Sequence, residues 1–292
     1  MPRFVLLVIA ASLLFSAGAF PGDGASDDVL EFRVIAGGFS SASDVDFIRG
    51  QDRLFVLDTG RHRLLELDAA GQRQDSLGGR GSGDAQFRQP AGLDATNGMR
   101  IYVADAGNGR VQLFERRLSY IASMKPPDDS FFTPALVAVN TFGRVFVYDE
   151  DRHRLLAFDS GGRLQDELPL SVYDELRRTE GVSGLSLGDD ELLLLARGSE
   201  NGALVHRLST GGRYAGFFGQ GEDIRALSTS GASIWAVTPS ALLRYDAAGR
   251  LQQRYAYTMP LPEEGSPELR GLAVSRAGIY LLSSERLFFA SL

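Results

Sequence analysis

The sequence has no cysteine and only three histidines in 292 residues. The lack of cysteine excludes thiol nucleophiles, thiolate zinc sites and disulfide bonds, and it leaves nothing to mispair in an oxidising compartment. Lysine is nearly missing as well, since Lys125 is the only one and the other basic side chains are arginines. The formal charge is −7, whereas a protein that binds nucleic acid draws its affinity from an excess of positive charge. We therefore expect no nucleic-acid partner.

The first twenty residues carry the features of an export signal. Arg3 precedes an apolar run from Phe4 to Phe15, and Ala17-Gly18-Ala19 supplies the small residues that signal peptidase requires. We predict cleavage after Ala19, which places the mature chain in the periplasm or outside the cell. The alternative is a retained membrane anchor, but the stretch is shorter than the roughly 20 apolar residues that cross a bilayer. No other segment has transmembrane length, so we expect no membrane span after cleavage.

A short apolar pattern recurs six times along the rest of the chain. The copies are LFVLD, IYVAD, VFVYD, LLLLA, SIWAV and GIYLL, which end at Asp58, Asp105, Asp149, Ala196, Val237 and Leu282. Their last residues are 47, 44, 47, 41 and 45 positions apart, with turn residues and no helical periodicity between them. A repeat of about 45 residues that contains several short strands is typical of the blades of a β-propeller.

The sequence therefore predicts an all-β fold, a six-bladed β-propeller of four-stranded antiparallel blades that forms one domain from residue 20 to residue 292. The inner strands are expected to begin near residues 43, 91, 135, 184, 225 and 270. The last unit has only three strands before the chain ends, while the segment Leu30 to Ile35 precedes the first inner strand without a unit of its own. Because a closed ring leaves no unpaired edge, we predict that this segment completes the C-terminal blade.

Three units share a hairpin in which an aspartate and an arginine lie five positions apart. The pairs are Asp58 and Arg63, Asp105 and Arg110, and Asp149 and Arg154. These D-x-x-x-[HG]-R-[VL] hairpins and the glycine-rich segment Gly78 to Pro90 resemble NHL repeats, strongly over residues 51–160, moderately over residues 210–292 and weakly over residues 170–205. The resemblance implies a six-bladed propeller, in agreement with the count of units. Since the pair recurs at equivalent positions, we interpret it as a structural element rather than a ligand site.

Candidate binding residues lie in the long connections between blades, because such loops converge on one face of a propeller. The connection from Leu170 to Ser183 has helical spacing, and its Tyr173, Leu176 and Arg177 are candidates for a protein-binding rim. The connection from Thr258 to Glu268 is proline-rich and acidic and is the second candidate for this rim. The alternative is that both connections are long solvent loops.

Phenylalanine precedes the inner strands in a repeated Phe-x-x-Pro spacing. The segments are Phe87 to Pro90 and Phe131 to Pro134. Repetition indicates that the first phenylalanine of each segment packs between consecutive blades. Phe132 has no counterpart in the other segment, so it is a further candidate for an exposed binding residue.

The three histidines do not form a metal-binding pattern. His62 and His153 occupy equivalent turns of units one and three, too far apart around a six-fold ring to ligate one ion. His206 falls within a strand of unit four, where a packing role is expected. The NHL-like lyase that acts on precursors of amidated peptides has a histidine-rich zinc centre, and these positions do not rebuild it. We predict no bound metal, no cofactor and no catalytic residues.

Polar residues of the inner strands would approach the central channel of a propeller. Asp46, Asp94, Asn140 and Arg225 are the members of this group that the sequence singles out. A channel can hold a set of carboxylates, and it can equally hold water. Without a convergent histidine or metal motif, we expect water.

These observations predict an exported, monomeric NHL-type propeller that acts as a non-catalytic protein-interaction scaffold or as a ligand-sensing module. Its partner is expected to be another protein or a component of the cell envelope. The alternative is a propeller hydrolase or lyase, similar to lactonases or to the peptide-amidating lyase, with a metal on the channel axis.

Overall fold

Six sheets succeed one another along the chain, each with four antiparallel strands, and one of them has a short fifth strand that pairs in parallel. The computed structural model describes residues 29–48, 52–127, 131–188, 190–198, 202–260 and 267–292, so the predicted export signal lies outside the described residues. The first strand of each sheet contacts the first strands of the sheets before and after it, and these inner strands form a ring. The predicted six-bladed β-propeller is confirmed.

The strands of the first three blades follow each other outward from the ring. Two strands precede them, β1 (Leu30–Glu31) and β2 (Arg33–Gly37). Blade 1 comprises β3 (Ala42–Ile48), β4 (Arg53–Asp58), β5 (Arg63–Asp68) and β6 (Arg73–Gly78). Blade 2 comprises β7 (Pro90–Asp94), β8 (Arg100–Asp105), β9 (Arg110–Glu115) and β10 (Tyr120–Met124). Blade 3 comprises β11 (Pro134–Val139), β12 (Val145–Asp149), β13 (Arg154–Phe158) and β14 (Leu164–Pro169).

The other three blades repeat this order. Blade 4 comprises β15 (Thr179–Leu187), β16 (Glu191–Gly198), β17 (Gly202–Ser209) and β18 (Tyr214–Phe218). Blade 5 comprises β19 (Ala226–Ser230), β20 (Ser233–Val237), β21 (Ala241–Asp246) and β22 (Leu251–Thr258). Blade 6 comprises β23 (Leu269–Val274), β24 (Ile279–Ser283) and β25 (Arg286–Ala290) together with β2. The helical turns of the described residues are Thr59–Arg61, Ala106–Asn108 and Leu170–Val172, and none of these is long and apolar enough to cross a membrane.

Burial along the strands explains the composition of the repeat. In β12 all five residues are buried, because the strand is covered by the neighbouring blade on each face. In β22, the fourth strand of blade 5, exposed and half-buried residues alternate along most of the strand, as expected where one face of a strand meets solvent. The second strands therefore show as continuous apolar runs in the sequence, and the outer strands do not.

The core is divided among the junctions between blades. At the junction of blades 1 and 2, for example, Phe55 and Leu57 pack against Leu93 and Ile101. Equivalent clusters fill the other five junctions of the described ring. Burial of apolar surface between consecutive blades is thus the main force that holds the ring.

The N-terminal segment spans the junction between blades 5 and 6. β2 pairs antiparallel with β25, with Arg33 opposite Phe289. β1 instead pairs parallel with β22, so the strand that joins the last blade is Arg33–Gly37 and not Leu30 to Ile35. Phe32 lies between the two short strands and is buried in the cluster of that junction, which is the reason for the break.

Blade 4 departs most from the predicted boundaries. Its inner strand begins at Thr179 rather than near residue 184, whereas the other five begin within one residue of the expected positions. The cause is a longer hairpin, since β16 and β17 keep pairing as far as Gly198 and Gly202 and lack the Asp–Arg turn. The preceding connection contains one short turn at Leu170–Val172 and no longer helix.

Candidate functional site

The three Asp–Arg pairs lie on the face of the ring that carries the connections between blades, which we call the upper face. The distances are 2.9 Å from Arg63 Nη2 to Asp58 Oδ2, 3.0 Å from Arg110 Nε to Asp105 Oδ2, and 2.8 Å from Arg154 Nε to Asp149 Oδ2. In each pair the other aspartate oxygen accepts a backbone N–H of the connection that enters the blade. Each aspartate therefore ties its hairpin to the incoming chain.

The residue before each arginine explains the alternation of histidine and glycine in the motif. His62, Gly109 and His153 all have left-handed backbone conformations, with φ of 54°, 59° and 46°. Glycine adopts this conformation without strain, and a larger residue needs other contacts to hold it there. His62 Nδ1 accepts the backbone N–H of Gln89 at 3.2 Å, and His153 Nδ1 lies 2.9 Å from the hydroxyl oxygen of Tyr148. Both histidines thus have structural partners, one in the connection that enters blade 2 and one in strand β12.

His206 is buried in blade 4. Its Nδ1 lies 3.0 Å from the hydroxyl oxygen of Tyr214, and its ring packs beside Phe217. Burial lowers the pKa of His206, although the charge of Glu175 acts in the opposite direction. This histidine is a packing residue. Among the described residues, no group of three or more His, Cys, Asp and Glu is placed to hold a metal ion.

Replacement of Asp105 by alanine is expected to destabilise the propeller by about 3 kcal/mol. The buried carboxylate accepts hydrogen bonds from Arg88 N, Asn108 Nδ2, Arg110 Nε and Gln112 Nε2, and alanine leaves these donors without it. Breaking a buried ion pair costs about 3–5 kcal/mol, because a charge stays buried without its partner. Urea unfolding measures the change, with Asp84→Ala, an exposed aspartate, as the control. A loss of less than 1 kcal/mol would contradict this role.

The predicted rim of the connection before blade 4 is mostly packed into the fold. Leu176 is completely buried, so it is a core residue and offers no surface to a partner. Tyr173 is half-buried and its hydroxyl donates to the carbonyl oxygen of Gly212. Arg177 is exposed and lies 3.0 Å from Asp174. Of the three candidates in this connection, Arg177 has the most accessible side chain.

The roles of Phe131 and Phe132 are the reverse of those predicted. Phe132 is 3% exposed and packs between blades 2 and 3, whereas Phe131 is 71% exposed. The connection at residues 125–133 is two residues shorter than the one at residues 79–89. Phe132 therefore fills the place that Phe87 fills at the preceding junction, and it is not a binding residue of the surface.

Three carboxylates of blades 1 and 2 line the central channel. Asp46 and Asp94 are where the sequence places them, and Asp44 joins them because alternate residues of a strand share a face. Each accepts a backbone N–H from the next blade: Asp44 from Leu93 at 2.9 Å, Asp46 from Ala95 at 2.5 Å, and Asp94 from Val139 at 3.0 Å. The three side chains thus link successive inner strands.

The channel carboxylates have altered proton affinities. Burial raises the pKa of Asp44 to about 7, although hydrogen bonds from Leu93 and Val45 act against the rise. Burial, and next the charge of Asp46, raise the pKa of Asp94 well above its ordinary value. A carboxyl group with a pKa near neutrality can accept or release a proton under ordinary conditions.

Two of the residues expected near the channel lie elsewhere. Asn140 accepts the backbone N–H of Phe142 and of Arg144, and so stabilises a turn. Arg225 is on the upper face, 2.5 Å from Asp223. Arg270 also lines the channel, the rest of the lining consists of serine, threonine, glycine and apolar residues, and the free volume is about 90 Å³.

A larger recess opens on the upper face between blades 5 and 6. Its volume is about 360 Å³, and it is lined by Arg225, Pro239, Tyr257, Met259, Pro267, Glu268 and Leu269. The Tyr257 hydroxyl donates to the carbonyl oxygen of Thr238 at 2.7 Å, which fixes the ring against the wall. The recess borders the proline-rich connection singled out in the sequence, of which residues 261–266 lie outside the described part. The sequence signal for this recess is limited to that connection, because Arg225, Pro239 and Tyr257 are distant from one another in the sequence.

Comparison with known proteins identifies the repeat. Residues 87–114, which contain the hairpin of Asp105 and Arg110, match the family model described as NHL repeat. The chain is a six-bladed β-propeller that contains an NHL repeat. A comparison of its sequence with curated proteins finds no match.

Solved structures of other propellers resemble this propeller in fold. A streptogramin B lyase has a TM-score of 0.61 at 12% identity, with 90% of this chain and 97% of the lyase covered. A catalytically inactive variant of virginiamycin B lyase from Staphylococcus aureus with quinupristin has a TM-score of 0.58 at 12% identity, with 86% and 80% covered. A gluconolactonase from Xanthomonas campestris has a TM-score of 0.64 at 11% identity, with 89% and 88% covered. At these identities the likeness shows the fold alone.

Proposed function

We propose that this NHL-repeat propeller is an exported, non-catalytic scaffold that binds a protein or another component of the cell envelope through the recess between blades 5 and 6. The observation that carries the proposal is the mainly apolar lining of the recess, to which Pro239, Tyr257, Met259, Pro267 and Leu269 contribute. The recess has a volume of about 360 Å³, whereas the channel has about 90 Å³. Sites for ligands of moderate size enclose about 300–1,000 Å³. The recess therefore admits a side chain of a partner, and the channel does not.

The lining of the recess is suited to a peptide. Tyr257, Met259 and Pro239 provide apolar surface, and the flexible thioether of methionine adapts to side chains of different shape. Arg225 and Glu268 provide a donor and an acceptor at the same site for the polar groups of a peptide backbone. An apolar floor with a few polar groups is the usual composition of a recognition site.

Site-specific photocrosslinking in the native host tests this role. A photoreactive phenylalanine at Pro239 or Met259 should give one adduct of the same mass from both positions. The matched control is the photoreactive phenylalanine at Gln74, which is exposed on the outermost strand of blade 1 and does not line the recess. Absence of an adduct at the recess, or an identical adduct at Gln74, would refute the proposed contact site.

Export is the second part of the proposal. It is supported by the apolar run of residues 4–15 and by the small residues Ala17 and Ala19. The intact mass of the protein purified from its host should correspond to a chain that begins at Phe20. A mass that includes residues 1–19 would instead indicate that the segment is retained.

A hydrolase or lyase is the second candidate function. The observation in its favour is Asp44, whose pKa of about 7 suits a group that exchanges protons at neutral pH. The named activities of the similar structures suggest gluconolactone and quinupristin as first substrates. Turnover of either that is lost in Asp44→Asn, while the fold is retained, would favour the enzyme over the scaffold.

A further inference from the structure

A basic and apolar patch lies on the lower face of the ring, opposite the connections between blades. It forms a shallow depression around blade 2 lined by Arg53, Met99, Arg100, Glu115, Arg116, Arg117 and Ile121. Four arginines face a single acidic residue here, although the whole chain has a formal charge of −7. This local reversal of sign sets the patch apart from the average surface.

The charge of the patch comes mainly from arginines that have no acidic partner. Arg53 is neutralised by Glu66, at 2.6 Å. Arg100 donates to the carbonyl oxygen of Ser160 at 3.4 Å and keeps its charge. Arg116 and Arg117 are exposed, and within the described part of the chain neither forms an ion pair. Two adjacent guanidinium groups are thus available at the edge of the depression.

Apolar side chains protrude from two neighbouring turns of the same face. Met99 is 57% exposed in the turn of blade 2, and Phe142 is 87% exposed in the corresponding turn of blade 3. Ser160 lies between the two turns. Its carbonyl oxygen accepts a hydrogen bond from the Arg100 guanidinium, and its side chain lies beside Gly143, where an added Cβ would be 3.1 Å from the Cβ of Ser160. Phe142 therefore borders the depression.

Both turns are held in place by asparagine side chains. Asn97 Oδ1 accepts the backbone N–H of Met99 at 3.0 Å, and Asn140 Oδ1 accepts that of Phe142 at 3.0 Å. The two apolar side chains are consequently presented at fixed positions, beside the arginines and pointing away from the core.

We propose that this patch, formed by Met99, Arg100, Arg116, Arg117 and Phe142, binds the surface of an anionic lipid bilayer. Guanidinium groups pair with lipid phosphates, and the negative potential of such a membrane attracts each basic residue near its surface. Apolar side chains that protrude from turns become buried among lipid headgroups and acyl chains, since a fluid surface needs no matching cavity. A rigid acidic protein would need such a cavity for Phe142.

The proposal is independent of the proposed function, because it concerns the opposite face. A propeller that lies on a membrane through its lower face keeps the recess between blades 5 and 6 turned away from the lipid. The propeller can then bind the partner and the membrane at the same time. Loss of lipid binding would leave the crosslinks at the recess unchanged, so the two proposals fail separately.

Sedimentation with lipid vesicles tests the proposal. The protein is the chain from Phe20 onward, since all described strands lie beyond residue 28 and the apolar N-terminal segment would bind lipid by itself. It should sediment with vesicles of 30% phosphatidylglycerol in phosphatidylcholine at 50 mM salt, and it should not sediment with pure phosphatidylcholine. The double variant Arg116→Gln/Arg117→Gln should bind roughly 30-fold more weakly, as expected for two basic residues at a charged surface.

The matched control removes two adjacent exposed arginines from the upper face. Arg177→Gln/Arg178→Gln changes the net charge equally, and its vesicle binding should equal that of the unmodified protein. Met99→Ser/Phe142→Ser should weaken binding about tenfold and leave its dependence on salt unchanged, because insertion of apolar groups is lost and charge is kept. Equal losses in the two arginine variants would overturn the proposal. Binding to polyglutamate but not to the vesicles would overturn it in favour of an acidic protein.

Discussion

A chain that begins at residue 38 is expected to have no cooperative folded state at 25 °C, whereas a chain that begins at residue 29 should melt like the complete protein. The shorter chain lacks β1 and β2, which supply the fourth strand of blade 6 and a short parallel strand beside blade 5. It also lacks Leu30 and Phe32, which are buried at the junction of these blades.

The expected loss is as large as the whole stability of a typical domain. Removal of a buried leucine costs about 2–5 kcal/mol and of a buried phenylalanine about 3–5 kcal/mol, and the edge of β25 loses its backbone hydrogen bonds as well. Domains are stable by about 5–15 kcal/mol in total. Circular dichroism during heating gives the comparison. A sharp transition of the shorter chain near that of the longer one would show that the ring does not depend on this segment.

The sequence indicates the need for this strand but not its position. The last unit has only three strands, and the segment before the first blade belongs to no unit. Counting strands therefore predicts that this segment pairs with the last unit. The break at Phe32 depends on packing against Tyr257, whose ring centroid lies 5.5 Å from that of Phe32 across the junction. Contacts between distant segments of this kind have no local pattern in the sequence.

The same limit explains the errors at the predicted binding residues. Leu176 fits a helical spacing and Phe132 lacks a counterpart, but neither pattern shows which side of the chain meets the neighbouring blade. The Asp–Arg pairs were predictable because both members lie in one hairpin, where five positions of sequence set their distance. The recess between blades 5 and 6 was not, since Tyr257 of blade 5 and Leu269 of blade 6 line it together only when the two blades pack against each other.

The stability of the propeller is expected to fall as the pH rises from about 4 to 7, through the carboxyl group of Asp44. Its pKa is 3.8 ordinarily and about 7 in the folded protein. Below pH 4 the group is protonated in both the folded and the unfolded chain, so it has no effect on the difference between them. At higher pH the unfolded chain ionises first and binds fewer protons than the folded one, and stability is lost until the folded group ionises near pH 7.

The size of this effect has an upper limit of about 4 kcal/mol, because each unit of pKa difference corresponds to about 1.36 kcal/mol. The side chain is partly accessible to the channel, where water screens the charge and reduces the loss. Asp46, Asp94 and Arg270 line the same channel, and the negative charge of Asp46 adds to the rise in the pKa of Asp44. The effect of Asp44 is therefore best isolated by a substitution that removes only its titration.

Asp44→Asn provides that substitution, since asparagine has nearly the same shape and cannot ionise. Urea unfolding at pH 4.5, 6 and 8 should show the variant gaining stability relative to the unmodified protein as the pH rises. The amide accepts the Leu93 N–H less well than the carboxylate does, but this loss of stability is the same at each pH and does not affect the trend. Asp84→Asn, an exposed aspartate, controls for the change in net charge. If the difference between Asp44→Asn and the unmodified protein is the same at all three values, the carboxyl group is ionised throughout. Asp44 would then serve only as a hydrogen-bond acceptor between blades 1 and 2.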